Sequence, residues 1–124
     1  MSCRGVRGAT SVVANDSQSI IAATRALLEQ MVAVNGLTVE DIASVTFTAT
    51  DDLNAEYPAR AAREMGWSNV PLLCTREMAV SGSLPHCIRV LILWNTDRPI
   101  DQITHVYLGA AARLRPDLVR KEEK

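Results

Sequence analysis

The stretch Cys-Ile-Arg-Val-Leu-Ile-Leu-Trp at residues 87–94 is the feature that most restricts the fold. A run this short and this rich in β-branched and aliphatic residues reads as a strand. It is apolar at both odd and even positions, so both faces of its sheet need cover. A chain of 124 residues suits one domain. Such a domain has few elements with which to cover two faces. Either a second sheet or a second subunit is expected on the far side.

The rest of the chain supplies a sheet and two helices. Residues 4–13 read as a first strand, interrupted by Gly5 and Gly8. Asn15 and Gln18 have the spacing of a capping box. Ile20, Thr24, Leu27, Met31 and Val34 then repeat at helical spacing, with Arg25 and Glu29 on the other side. Asn35-Gly36 ends that helix. Residues 42–50 alternate: Ala43, Val45, Phe47 and Ala49 share one face, and Ser44, Thr46, Thr48 and Thr50 the other. Pro58 opens a short helix that stops at Gly66. Residues 70–74 form a short strand that Pro71 marks as an edge. Residues 81–85 form a turn, and residues 105–111 a last strand. The predicted class is α/β (α+β), a mixed β-sheet packed against two helices.

Composition excludes several classes of function. The formal net charge is −1, from 13 basic and 14 acidic residues, which argues against a nucleic-acid-binding surface. The longest apolar run, residues 90–94, falls far short of the roughly 20 residues of a membrane span. No apolar signal core stands at the N-terminus. Cys3, Cys74 and Cys87 match no zinc or redox spacing, and an odd count suits reduced thiols in a cytoplasm. There is no glycine-rich phosphate loop, no Ser/His/Asp motif and no metal-ligand cluster. Eleven of the thirteen basic residues are arginine, the side chain best shaped for carboxylates. Taken alone, that skew is better explained by compositional bias of the genome.

Arg89 is the sharpest clue to chemistry, because a charge inside an apolar strand is costly unless paired or put to use. It either serves a site or forms a structural ion pair with an acidic residue such as Glu77. Arg7 lies beside Gly5 and Gly8, where backbone or ligand can approach closely, or it is an ordinary surface arginine. Arg60 and Arg63 share a helical face, and Arg60 with Glu64 makes a plausible surface pair. Tyr107 and Cys74 read by default as packed side chains. His86 and His105 show no partner in the sequence. Several arginines with few acid–base groups suit charge complementarity more than proton transfer.

Residues 4–10 (Arg-Gly-Val-Arg-Gly-Ala-Thr), Gly66-Trp67 with Val70-Pro71-Leu72, residues 87–91, and residues 105–108 with 114–118 (Leu-Arg-Pro-Asp-Leu) resemble the AroH-type chorismate mutases, in that family's order and spacing. The resemblance implies one domain over residues 1–118 and a tail over 119–124. It implies a homotrimer whose three sheets form a pseudo-barrel core, with each site in the cleft between two subunits. It also implies conversion of chorismate to prephenate in phenylalanine and tyrosine biosynthesis, without cofactor or metal.

By the same resemblance, Arg89 faces the ether oxygen, Arg7 lies near a carboxylate, and Glu77 with Cys74 lies near the ring hydroxyl. Tyr107 contacts the side-chain carboxylate. Leu73 and Leu114 form pocket walls, and Tyr57, Arg60, Arg63 and Arg115 stand at the entrance. Tyr57 and Arg60 depart from the phenylalanine and lysine often found at their positions. A trimeric enamine/imine deaminase of related fold and a non-catalytic carboxylate-binding trimer are the alternatives.

Overall fold

The computed structural model describes residues 2–114. The elements run β1 (Cys3–Ser11), α1 (Ser17–Asn35), β2 (Ile42–Ala49), α2 (Ala59–Glu64), β3 (Leu72–Arg76), β4 (Cys87–Asn95) and β5 (Val106–Tyr107), with short 3-10 turns at Val39–Asp41, Ile100–Gln102 and Gly109–Arg113. They form one five-stranded sheet in the order β3-β2-β4-β1-β5. The most apolar strand is therefore the central one. β4 runs antiparallel to both neighbours, with Ala9 and Thr48 lying opposite Arg89. β2 and β3 pair in parallel, and their connection carries α2, as a parallel crossover requires.

Both helices cover the same face. Ile20, Leu27, Leu28 and Met31 of α1 are fully buried with Val6, Phe47, Ile88 and Ile92 of the sheet. Gly8 sets how closely α1 sits on β1: a Cβ there would collide with Met31 Sδ. On β4, Ile88, Val90, Ile92 and Trp94 face this core. Leu91 and Leu93 face the other way and stay 41% and 37% exposed. Among the described residues, β5 and the turn after it cover only the Ala9 end of that second face, which we call the open face. The expected lack of cover is real among the described residues.

Four local expectations change. Asp16, not an Asn15 capping box, caps α1, its carboxylate accepting from the Ser19 amide at 2.7 Å. Asn15 is occupied elsewhere: its Oδ1 accepts from the amides of Asn54 and Ala55, and its Nδ2 donates to Asn54. Ala43 is exposed and off the apolar face, because the register shifts between Ile42 and Ser44 and puts Ile42 into the core. β3 begins at Leu72 rather than residue 70, still at the sheet edge. The last strand stops after Tyr107, since Gly109 turns the chain at φ 57 into a 3-10 turn. The Ser11 hydroxyl accepts from the Ala110 amide there, and a Cβ on Gly109 would lie 2.6 Å from that oxygen.

Candidate active site

Strand alternation places Arg7 and Ala9 of β1, Thr46 and Thr48 of β2, and Arg89 and Leu91 of β4 on the open face. These side chains, with Glu77, Tyr107 and Leu114, line a cavity of about 460 Å³. Glu77 follows β3 directly. Its amide donates to the Ala49 carbonyl at 3.0 Å, which extends the β2–β3 pairing by one step. Its carboxylate Oε2 then lies 3.2 Å from Arg89 Nε. The same oxygen accepts from the Thr48 hydroxyl at 2.7 Å, and Oε1 accepts from the Met78 amide at 3.3 Å.

The ion pair expected between Arg89 and Glu77 thus exists, but not in a buried setting. The two side chains are 45% and 23% exposed. Arg89 is accessible because, among the described residues, nothing covers its part of the open face, not because the strand is peripheral. A pair this exposed contributes only about 0–1 kcal/mol to stability. Structural need alone therefore does not account for an arginine in the middle of the central strand. Cys87, one step along the same face, has its thiol pushed up by burial, while the Arg89 charge pulls it the other way.

Arg7 reaches the cavity from β1, and its backbone amide donates to Nδ1 of His105 at 2.9 Å. His105, without a partner in sequence reasoning, therefore anchors the strand that carries Arg7. Tyr107 is buried against Ala9 and Ala111, with Leu114 packed on the same cluster. Arg7, Glu77, Arg89, Tyr107 and Leu114 are brought together.

A second cavity, of about 430 Å³, holds a different subset. Tyr57 and Cys74 line it, together with Glu56 and Arg76. Cys74 packs against the core on the helix side of β3, whereas Leu73 points to the open face and is 63% exposed. Within one chain, Cys74 and Glu77 do not share a cavity. Burial pushes the Cys74 thiol up, and the Ala59 amide and the Arg63 charge oppose that only partly. At neutral pH it is a protonated thiol, a weak hydrogen-bond donor rather than a nucleophile. Arg60 pairs with Glu56 at 2.8 Å and with Glu64 at 3.2 Å, and both hold its charge in place. Arg60 and Arg63 are exposed on α2. Arg115 lies outside the described residues.

Sequence reasoning missed Thr46 and Thr48 as cavity residues. The polar face of β2 was visible, but a polar face reads as solvent-facing unless something is known to cover it. Among the described residues, no group of three or more His, Cys, Asp or Glu is placed to hold a metal ion.

The first cavity brings together two arginines, one carboxylate paired with one of them, Tyr107 and the apolar side chains of Leu91 and Leu114. Residues 3–118 match the family described as chorismate mutase type I. The chain is 53% identical over 116 residues to chorismate mutase AroH of Thermus thermophilus, covering 93% of this chain and 95% of the relative. It is 46% identical over 119 residues to chorismate mutase AroH of Bacillus subtilis, covering 95% of this chain and 94% of the relative. The fold superposes on a chorismate mutase from Clostridium thermocellum with a TM-score of 0.87 and 47% identity, over 89% of this chain and 98% of that one. The chain belongs to the chorismate mutase type I family.

Proposed function

We propose that this protein rearranges chorismate to prephenate, at the branch toward phenylalanine and tyrosine, in a site completed by a neighbouring subunit. The observation that carries the reading is the Arg89–Glu77 pair opening into a cavity that also holds Arg7 and Tyr107. The rearrangement is unimolecular: a C–O bond breaks as a C–C bond forms. Arg7 and the Tyr107 hydroxyl bind carboxylates and select the compact conformer in which the enolpyruvyl arm lies over the ring. Bond breaking leads, so negative charge grows on the ether oxygen. Arg89, fixed on the central strand, stabilises that charge without reorganising. Glu77 faces the ring and complements the positive charge spreading over it.

A homotrimer supplies the rest. Tyr57 and Cys74 line a cavity separate from Arg89 within one chain, with the Arg63 charge acting on Cys74, while Leu91 and Leu93 on the open face stay part-exposed. One packing event that seats a neighbour's α2 and β3 edge against the open face answers both facts. Arg60 and Arg63 then stand at the mouth of the cleft and draw in a dianion. An intact carboxylate facing Arg89 favours catalysis over a trimer that merely binds carboxylates, since Glu77 would repel an anion in which no local positive charge develops. Loss of chorismate absorbance on mixing with purified protein tests the function. Unchanged absorbance at enzyme concentrations well above trace would refute it.

A further inference from the structure

We propose that Thr48 is a positioning residue for this reaction, acting through Glu77. Glu77 sits where β3 gives way to a loop whose next side chains, Met78 and Val80, are 76% and 60% exposed. Packing by its neighbours in sequence therefore does little to fix its side chain. Its carboxylate is held by polar contacts instead. The Thr48 hydroxyl donates to Oε2 at 2.7 Å, the shortest of those contacts, and the acceptor is charged. Thr48 lies directly opposite Arg89 in the β2–β4 register, so two adjacent strands supply both partners of one oxygen.

This division of contacts has a chemical consequence. Oε2 is tied to the sheet from two sides, while among the described residues Oε1 has only the long 3.3 Å contact with the Met78 amide. Oε1 is thus the oxygen left to face the substrate ring. The pair with Arg89 closes through Nε, so the terminal nitrogens lie beyond it at the end of the side chain. Without the Thr48 hydroxyl, the carboxylate can rotate toward the guanidinium and engage those nitrogens, which the ether oxygen requires. A threonine suits the task because its branched Cβ restricts χ1 on a strand and aims the hydroxyl. On this account Thr48 touches no reacting atom and lowers the barrier by holding Glu77 and Arg89 apart.

The inference rests on the chorismate mutase reading above, and its test separates the two. Thr48→Val keeps the shape and strand propensity and removes only the donor. Thr48→Val should lower kcat about tenfold or more, as expected for losing one hydrogen bond to a charged group, with KM changed far less. Thr48→Ser should restore most of the rate. In a Glu77→Gln background the valine change should add almost nothing, because it acts through the carboxylate. The unfolding midpoint should move little in every variant. If Thr48→Val fails to fold, Thr48→Ala removes the same donor and carries the same expectation. Wild-type turnover of chorismate with unaltered Thr48→Val kinetics overturns the positioning role alone. Equal losses with and without Glu77, or a serine variant as poor as valine, overturn it too. Absence of wild-type turnover overturns the underlying reading.

Discussion

Replacing Arg89 by citrulline separates electrostatic catalysis from structural pairing, because it keeps the side chain's shape and removes its charge. Two costs can be estimated. The first is loss of a charged donor from the transition state, for which a single preorganised donor typically supplies about 10²–10³ in rate. The second comes from Glu77. Its carboxylate lies 3.2 Å from Arg89 Nε and remains held by Thr48 and the Met78 amide when the charge goes. It then stands uncompensated in a cavity that must take an anionic substrate. At an effective dielectric near 20, a unit charge acting on half a developing charge at about 4 Å is worth roughly 2 kcal/mol. Together these place the fall in kcat at about 10³ or more. The folded state loses little, since a pair this exposed contributes about 1 kcal/mol at most. For a domain of this size, that moves the unfolding midpoint by only about 4 °C. The assay is chorismate consumption under single-turnover conditions, alongside light scattering and thermal unfolding. KM should change far less than kcat, because the interaction grows only as the bond breaks. A correctly assembled citrulline variant with nearly normal turnover would show that Arg89 is structural.

Subunit sharing predicts complementation: Arg63→Ala and Arg89→Ala chains, each poorly active, should recover activity when unfolded together and refolded. About a quarter of all sites after random reassortment, one of the three in each mixed trimer, would carry both wild-type arginines; no recovery in confirmed mixed trimers would place both residues in one chain's site. Acid stability should depend on the α1 cap. The Ser19 amide and hydroxyl hold the Asp16 carboxyl below its ordinary 3.8, so its contribution is complete above that value and is lost as pH falls through the lower folded-state value. Asp16→Asn caps about as well at neutral pH and should flatten this part of the acid-unfolding profile. A profile identical to wild type would remove Asp16 from the account.

The fold was legible where one physical signal dominated. An apolar strand on both faces had to be central, and β4 is. Apolar spacing over Ile20 to Met31 had to be a helix packed by that stripe, and those positions are buried in α1. Pro71 marked an edge, and β3 starts beside it at the edge. Expectations failed where distant contacts chose between local equivalents. Asn15 and Asp16 are both good caps. The contacts of Asn15 with residues 54 and 55 occupy it and leave the cap to Asp16. Ala43 fits a strict alternation until a bulge shifts it. Gly109 ends the last strand because Ser11 crosses close by, 98 positions away in sequence. None of those partners can be inferred from the segment itself.

The candidate site divides along the same line. Arg89 announced itself because a charge amid aliphatic residues violates the local pattern. Thr48 did not, since a threonine on a strand's polar face violates nothing. Its role exists only because β4 places Arg89 opposite it and β3 delivers Glu77 alongside. Cys74 shows the converse. Position in sequence puts it three residues from Glu77, yet strand alternation sends its side chain to the helix side while the extra β2–β3 pairing step brings Glu77 to the open face. A chain that keeps these two groups on separate faces can bring them to one substrate only by presenting each to a different neighbour. The apolar exposure of Leu91 and Leu93 beside Arg89 would provide the driving force for that arrangement. Assembly and catalysis would then draw on the same strand, with β4 offering leucines to the partner and an arginine to the ether oxygen.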